Sequence, residues 1–527
     1  MAVDIYLNPS SPIKNFKGSL AAQVCVDKSG LISFLNSVAG TPRRYVCISR
    51  PRRFGKTWTA NMLTAYYSLG RNAKELFEGL KISEDPSFES HLNKYNVFFL
   101  NIQNFLSEST SIKAMVSSIK SVILSSVKKA YPSANFAKPR DILQTLYEVE
   151  AYAGAGFVFI IDEWDCVFRV FKDDVNGQKI YLDFLRLLLK DQGYVHLAYM
   201  TGILPIKKYG THSALNMFTE FSMSNPYPLA EYVGFTELEV KKICDSGNLS
   251  FEQAKAWYDG YIFNDVHIYN PMSIASVVER RVFSNYWSQT ETFEALKMPI
   301  NLNFDGLKES ISKLMSQQPV RINIKSFQND MATFSSADDV LTLLVHLGYL
   351  AYDSKSCEVL IPNNEIKEEF KNAVENASWP GVSKLLSDSR KLVEDTLSLN
   401  SSSVAKAIQA AHNESTSILK YNDENSLCCV VTLAYYHANE HYIIFRELAS
   451  GEGFIDMLFL PKPMHYDKPA ILVELKWDLS ADGAIKQVKD KHYPQKVAQY
   501  TGKIILVGIN YDKKTKVHTC TIEEFTK

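Results

Sequence analysis

At 527 residues the chain exceeds what one hydrophobic core usually organises, so two or three domains are expected. Its 46% hydrophobic and 22% charged residues are ordinary for a folded globular protein and exclude a disordered or fibrous one. With 57 Lys and Arg against 58 Asp and Glu, no overall field draws the molecule to nucleic acid or anionic lipid, so any such contact needs a local patch.

The opening run MAVDIYLNPSSPIKNF has neither the charged start nor the apolar stretch of a signal peptide, and no apolar run approaches the roughly 20 residues that span a bilayer. A cytoplasmic protein with no membrane partner is expected. The eight cysteines, Cys25, Cys47, Cys166, Cys244, Cys357, Cys428, Cys429 and Cys520, form no C-x-x-C pair and no zinc-spaced cluster, which predicts reduced and mostly buried thiols.

In chain order, the apolar runs YVCIS, NVFFLNI, FVFIID and VHLAYMT alternate with helical patterns, the mark of an α/β domain with a parallel sheet, placed over residues 1–230. Helical spacing dominates a middle region, 231–400, opening on a capping-box pattern at Thr236 and Glu239. Within it, DDVLTLLVHLGYLAYDSKSCEVLIPNNEIKEEF reads as helix, hairpin, helix, loosely like a winged helix; support for the first domain is favoured over reading of DNA. The Ser-rich stretch SLNSSSVAKAI, 398–408, is the expected linker. A small α/β unit, 401–527, then follows, with strands HYIIFREL, GFIDMLFL, PAILVELKW and KIILVGIN, and a helix over AIKQVKDKHYPQKVAQY between the last two.

The first strand runs straight into RPRRFGKTWTANMLTAYY, so Arg52, Arg53, Phe54, Gly55, Lys56 and Thr57 occupy a strand-to-helix turn, the context of a phosphate-binding loop. Helix-start amides would cradle a β-phosphate, Lys56 would bridge the outer phosphates of ATP, and the Thr57 hydroxyl would hold Mg²⁺. The standard pattern places a glycine where this chain has Arg50. A second buried-strand run, GFVFIIDEWD, ends in acids: Asp162 would hold the Mg²⁺ shell and Glu163 would act as general base toward water. Thr201 ends a third strand where a hydroxyl could sense the γ-phosphate. Arg52 and Arg53 leave three readings open: phosphate contacts, contacts to a neighbouring subunit of a homo-oligomer, or a solvated basic loop.

In GEGFIDMLFLPKPMHYDKPAILVELKW, a hairpin symmetric about His465 sets Leu460 opposite Ala470 and Asp456 opposite Glu474, with Lys476 on the face of Glu474. Opposed residues have Cβ atoms about 4.5–5.5 Å apart, close enough for two carboxylates to share a cation such as Mg²⁺ or Mn²⁺. Lys476 would position a metal-activated water or stabilise developing charge. The apolar neighbours Ile471, Leu472, Val473 and Leu475 predict a buried strand.

The run ISRPRRFGKT, the IIDEWD and MTGI strands and the later WYDGYIF…YNP segment resemble the AAA-ATPase-like family, whose members commonly carry a C-terminal domain similar to the PD-(D/E)XK nuclease superfamily. The RPRRFGKT form looks typical of that family. The resemblance implies ATP binding and a restriction-endonuclease-like C-terminal fold. Carried over residue by residue, Glu424 matches an extra metal-side acid, and Gln487 a glutamine on the helix after E-x-K, with Lys491 and Tyr493 as substrate contacts. The resulting expectation is a nuclease acting on nucleic acid, foremost DNA, whose access is controlled by nucleotide state. The rival is a nucleotide-dependent switch or assembly protein whose C-terminal domain binds without cutting.

Overall fold

The structure, a computed structural model, describes residues 5–525 apart from 210–211, 288–295, 297–298, 303, 376–379, 416–423, 451–452, 463–464, 466 and 492–502. The chain divides into two compact units, Met1–Thr290 with Arg321–Ile366, and Glu291–Val320 with Lys367–Lys527. Residues 231–400, read from sequence as one region, are shared between them.

The first unit is built on a five-stranded sheet. Strands β1 (Tyr45–Ser49), β2 (Asn96–Asn101), β3 (Phe157–Asp162), β4 (Val195–Gly202) and β5 (Thr219–Phe221) lie in the order β2-β3-β4-β1-β5, every pairing parallel. β1 and β3 are buried along their whole length, as their unbroken apolar runs require of a sheet covered on both faces. Only β5, three residues long, gave no usable pattern. Helix α1 (Lys56–Tyr67) begins a few residues beyond β1, with Gly55 at its N-cap in the left-handed region, φ 91°. Helix α2 (Glu237–Gly247) carries the reciprocal capping box: Thr236 N donates to Glu239 Oε2 at 2.7 Å, and Glu239 N donates to Thr236 Oγ1 at 3.4 Å. The predicted helix, hairpin, helix follows as α3 (Ala337–Leu347), β6 (Ala351–Asp353) with β7 (Glu358–Leu360), and a helix from Asn364.

In the second unit, α4 (Pro380–Leu397), α5 (Ser401–Ser415) and α6 (Glu424–Ala434) precede β8 (Tyr442–Ser450), β9 (Gly453–Pro461), β10 (Ala470–Trp477), α7 (Ala481–Asp490), β11 (Ile504–Asp512) and β12 (Val517–Phe525). The strands pair in chain order, antiparallel except for β10 with β11, whose parallel connection is made by the crossover helix α7. Alternate residues of β10 serve two cores. Ile471 and Val473 pack with Val404, Leu427 and Val431. Leu472 packs on the other face with Leu458, Ile485 and Val488. Burial of both faces is why PAILVEL reads as a continuous apolar run.

The Ser-rich stretch 398–408 is not a linker. It is the start of α5: Asn400 Oδ1 accepts from Ser403 N at 3.1 Å, the Asn400 carbonyl accepts from Val404 N at 3.1 Å, and Val404 and Ile408 are fully buried. Asn400 thus caps the helix, and the Ser401 hydroxyl accepts from Ile522 N of β12 at 3.0 Å, so these polar residues anchor structure where their composition alone reads as a break. The helix expected over 484–500 runs over Ala481–Asp490, and the rest of that span, with Tyr493, lies outside the described residues. Five cysteines are buried, Cys47, Cys166, Cys244, Cys428 and Cys429, while Cys25 is exposed. No helix among the described residues is long and apolar enough to cross a membrane.

Candidate functional sites at two strand ends

In the first unit, the carboxyl ends of β1 and β3 meet at the start of α1. The Thr57 hydroxyl donates to Asp162 Oδ2 at 2.8 Å, and Asn101 Nδ2, at the end of the neighbouring β2, lies 3.4 Å from the same oxygen. Lys56 is buried, and its ammonium folds back onto the Pro51 carbonyl at 2.7 Å. Burial pulls the Lys56 pKa down, against the attraction of Glu163 and Asp162. Burial, reinforced by the neighbouring Glu163 charge, pushes Asp162 up to about 6 despite the Thr57 hydrogen bond. A buried cation and a reluctantly ionised carboxylate a few residues from a helix start are the donor set that a phosphate and its divalent ion would satisfy.

A cleft of about 500 Å³ opens here, with Arg52, Arg53, Phe54, Gly55, Lys56, Thr57 and Glu163 on one side and Val24, Trp58, Tyr232, Phe235 and Met272 supplying an apolar side. Arg52 and Arg53 are exposed in it, and Arg53 holds φ 65°. Thr201 does not line this cleft; it is buried, and its hydroxyl donates to the Ile48 carbonyl at 3.0 Å, tying β4 to β1.

Arg50, standing where a glycine is standard, is fully buried. Its Nη1 donates to the carbonyls of Ser49 (2.9 Å) and Phe221 (3.2 Å), and its guanidinium lies 5.4 Å over the Phe263 ring. The loop is therefore braced from behind by packing. Tyr261, from the DGYIF segment, meets Phe54 edge-on at 5.5 Å and donates to the Gly348 carbonyl. Gly348 sits under Pro51 at φ 86°, where a Cβ would come within 2.7 Å of the proline ring. The YNP segment closes the cleft: Asn270 Oδ1 caps the helix Pro271–Arg280 through Met272 N at 2.9 Å, and Pro271 and Met272 line the wall.

Sequence reasoning missed Arg169 and the role of Asp165. Glu163, at φ 55°, has its carboxylate paired with Arg169. Asp165, with no exposed surface, accepts from Arg169 Nε at 3.1 Å and from Leu204 N at 2.9 Å. Gly202 leaves the room, since a Cβ there would lie 2.4 Å from Asp165 Oδ1. The DEWD run thus divides its labour: Glu163 borders the cleft, Asp162 is buried behind it against the Thr57 hydroxyl, and Asp165 locks β3 to the loop after β4. The i, i+4 spacing of Asp165 and Arg169 was the available signal.

In the second unit, the β9–β10 ladder pairs Met457 with Val473, Leu458 with Leu472 and Phe459 with Ile471. Each pair sums to the same value, which sets Asp456 opposite Glu474 at the next rung, as the hairpin symmetry predicted. Asp456 Oδ2 accepts from Leu475 N at 2.7 Å. Glu474 is 1% exposed. Its Oε1 accepts from Lys476 Nζ at 3.0 Å and from Gln487 Nε2. Its Oε2 is buried with no hydrogen-bond partner among the described residues. Burial, then the nearby Asp456 charge, raises the Glu474 carboxyl to about 7, with Lys476 pulling the other way. An orphaned carboxylate oxygen beside a second acid fits a hard divalent cation.

Gln487 reaches Glu474 because α7 lies close on β11. Gly508, paired with Glu474 across the parallel ladder, permits this: a Cβ there would stand 2.3 Å from the Ala481 carbonyl oxygen and 3.1 Å from Ala484 Cβ. A lone glycine inside a strand was the overlooked signal. Glu424 is the first residue of α6, and its side chain lies outside the described residues. Lys491 follows the last turn of α7.

Residues 13–211 match the family described as "Predicted AAA-ATPase", and residues 423–520 match the PD-(D/E)XK nuclease superfamily. The chain carries an AAA-ATPase-like domain and a PD-(D/E)XK nuclease superfamily domain. The AAA-ATPase-like match contains both β1 and β3 with their terminal residues, and the nuclease-superfamily match spans Asp456, Glu474, Lys476 and Gln487. Over 495 residues the chain is 21% identical to the "Uncharacterized protein in vnfD 5'region" of Azotobacter chroococcum mcd 1, covering 89% of this chain and 90% of that one. Among solved structures, a Walker-type ATPase of Pyrococcus abyssi aligns at 12% identity and TM-score 0.35, covering 66% of this chain and 96% of that one. The Aeropyrum pernix ORC2 protein aligns at 11% identity and TM-score 0.29, covering 67% and 96%.

Proposed function

We propose that the protein binds and hydrolyses ATP at the β1–α1 loop and cleaves nucleic acid phosphodiesters, foremost DNA, at the Asp456/Glu474 pair, with nucleotide state controlling the second activity. The observation that carries the nuclease reading is the buried Glu474 carboxylate. One oxygen is fixed by Lys476 and Gln487, and the other, beside Asp456, has no donor among the described residues. Asp456 and Glu474 would hold Mg²⁺ or Mn²⁺, with Glu424 as the third acid that the family resemblance adds. When bound, such an ion polarises a phosphodiester and lowers the pKa of its water. Gln487 orients Glu474, and Lys476, 13% exposed at its side chain, offers a positive charge to the scissile phosphate.

At the other site, Lys56 would exchange the Pro51 carbonyl for the outer phosphates of ATP, and Thr57 with Asp162 would hold the accompanying Mg²⁺. Glu163 would serve as general base once freed from Arg169.

The test is a divalent-metal-dependent cleavage assay on single- and double-stranded DNA and RNA, with and without ATP, using wild type beside Asp456→Ala, together with ATP affinity of Lys56→Ala. Metal-dependent product from wild type alone supports the nuclease reading. Equal product from wild type and Asp456→Ala removes it, and binding of nucleic acid without product favours the switch or assembly role. Unaltered ATP affinity in Lys56→Ala removes the phosphate-loop assignment.

A further inference from the structure

A second group of ligand-type side chains lies in the C-terminal unit, beyond the end of β9 opposite to the one that holds Asp456. The short 3-10 helix Tyr436–Glu440 leads into β8, and in a 3-10 helix residues three apart eclipse one another. His437 and Glu440 are therefore stacked, with His437 Nδ1 3.0 Å from Glu440 Oε1. His441 follows, and His437, Glu440 and His441 offer ligand atoms that all lie within 4.8 Å of one another.

The turn after β9 folds over this helix end. Lys462 N donates to the His441 carbonyl at 2.9 Å and His465 N donates to the Lys462 carbonyl at 2.8 Å. This brings His465 Nε2 to 3.4 Å from His441 Nδ1, with the two rings edge to face and their centroids 4.5 Å apart. A histidine whose outer nitrogen is held by a partner presents its other nitrogen in a fixed direction, the usual arrangement behind a metal-bound imidazole.

We infer that His437, Glu440 and His441 form a second divalent-cation site, suited to Zn²⁺ or a similar borderline ion, with His465 as the positioning residue for His441. Two imidazoles and one carboxylate select such an ion over Mg²⁺, which favours an all-oxygen shell. The charged neighbours are mixed: Lys371 Nζ stands 3.9 Å from Glu440, Arg390 and Glu394 face His437, and Lys468 faces His441. The bound ion would brace the entry of β8, meeting the turn after β9 only through His465, and take no part in phosphodiester chemistry.

The test uses the full chain in an Asp456→Asn, Glu474→Gln background, so that the carboxylate pair cannot report. After chelator treatment, Zn²⁺ binding is followed by titration calorimetry, and Co²⁺ binding by the visible bands that distinguish four- or five-coordinate nitrogen ligation from six oxygens. The expected result is one equivalent of Zn²⁺, lost in His437→Ala and His441→Ala, and weakened ten- to a hundredfold in His465→Ala. His441→Gln, which keeps polarity and bulk, must also lose the ion while keeping its circular dichroism spectrum. Absence of Zn²⁺ binding in the background chain, or unchanged affinity in His437→Ala or in folded His441→Gln, overturns the inference.

Discussion

Asp456 accepts a hydrogen bond from the backbone amide of Leu475, the residue next to Glu474, at 2.7 Å. The β9–β10 ladder runs through Phe459 with Ile471, Leu458 with Leu472 and Met457 with Val473, and just past that last rung the Leu475 amide is taken by a carboxylate. One acid therefore positions the strand segment that carries the other.

That relationship separates two roles of Asp456. Asp456→Asn keeps an acceptor for Leu475 N but loses the negative charge, so folding stability should stay near wild type while metal-dependent cleavage drops at least a hundredfold. Asp456→Ala should also leave the amide unpaired, costing about 1–3 kcal/mol. Thermal denaturation beside a cleavage assay checks both; equal stability loss in the two variants would contradict the acceptor role.

Glu474 gives a pH dependence with a definite sign. In the folded chain its carboxyl holds its proton to about 7, against an ordinary value of 4.5. The folded state thus binds the extra proton between those values, and stability of the chelator-treated chain should fall as pH rises through that window, by on the order of 1–3 kcal/mol. Glu474→Gln should flatten the slope. A divalent ion takes over the role of the proton, so adding Mg²⁺ or Mn²⁺ should restore stability above pH 7 and release protons on binding, measurable by calorimetry in buffers of different ionisation enthalpy.

Arg169 holds both Glu163 and the fully buried Asp165. Arg169→Ala leaves Asp165 with Leu204 N as its named donor and should cost on the order of 3 kcal/mol, read by urea denaturation. Arg169→Lys should recover part of it. A change below about 0.5 kcal/mol for the alanine variant would show that the pairs contribute little in solution.

Gly508→Ala should disturb the nuclease site without touching a charged group. The added Cβ meets the Ala481 carbonyl at 2.3 Å, so α7 must shift and Gln487 with it. Cleavage should fall about tenfold or more with secondary structure retained; wild-type activity would show that the helix gives way elsewhere.

Legibility of the fold followed burial. Strands covered on both faces, such as FVFIID and AILVEL, announced themselves as apolar runs, and the register of the hairpin followed from its symmetry about His465. The Thr236 and Glu239 cap was legible because it is local. Non-local packing was not. Arg50 reads as a broken phosphate loop until Phe221 and Phe263 are seen around it, and the serines at 401–403 read as a linker until α5 is seen to bury Val404. Gly508 and Arg169 act through neighbours distant in sequence or through a buried partner, which spacing alone leaves undetermined.

The most direct test of the Asp456/Glu474 site is cleavage of single- and double-stranded DNA by Glu474→Gln in Mg²⁺ or Mn²⁺. The substitution keeps the size of a side chain whose Oε1 accepts from Lys476 and Gln487, and removes only the charge that would hold the cation. Metal-dependent product from wild type and none from Glu474→Gln is the predicted result; product at the wild-type rate from the variant would contradict the assignment of a cation to this pair.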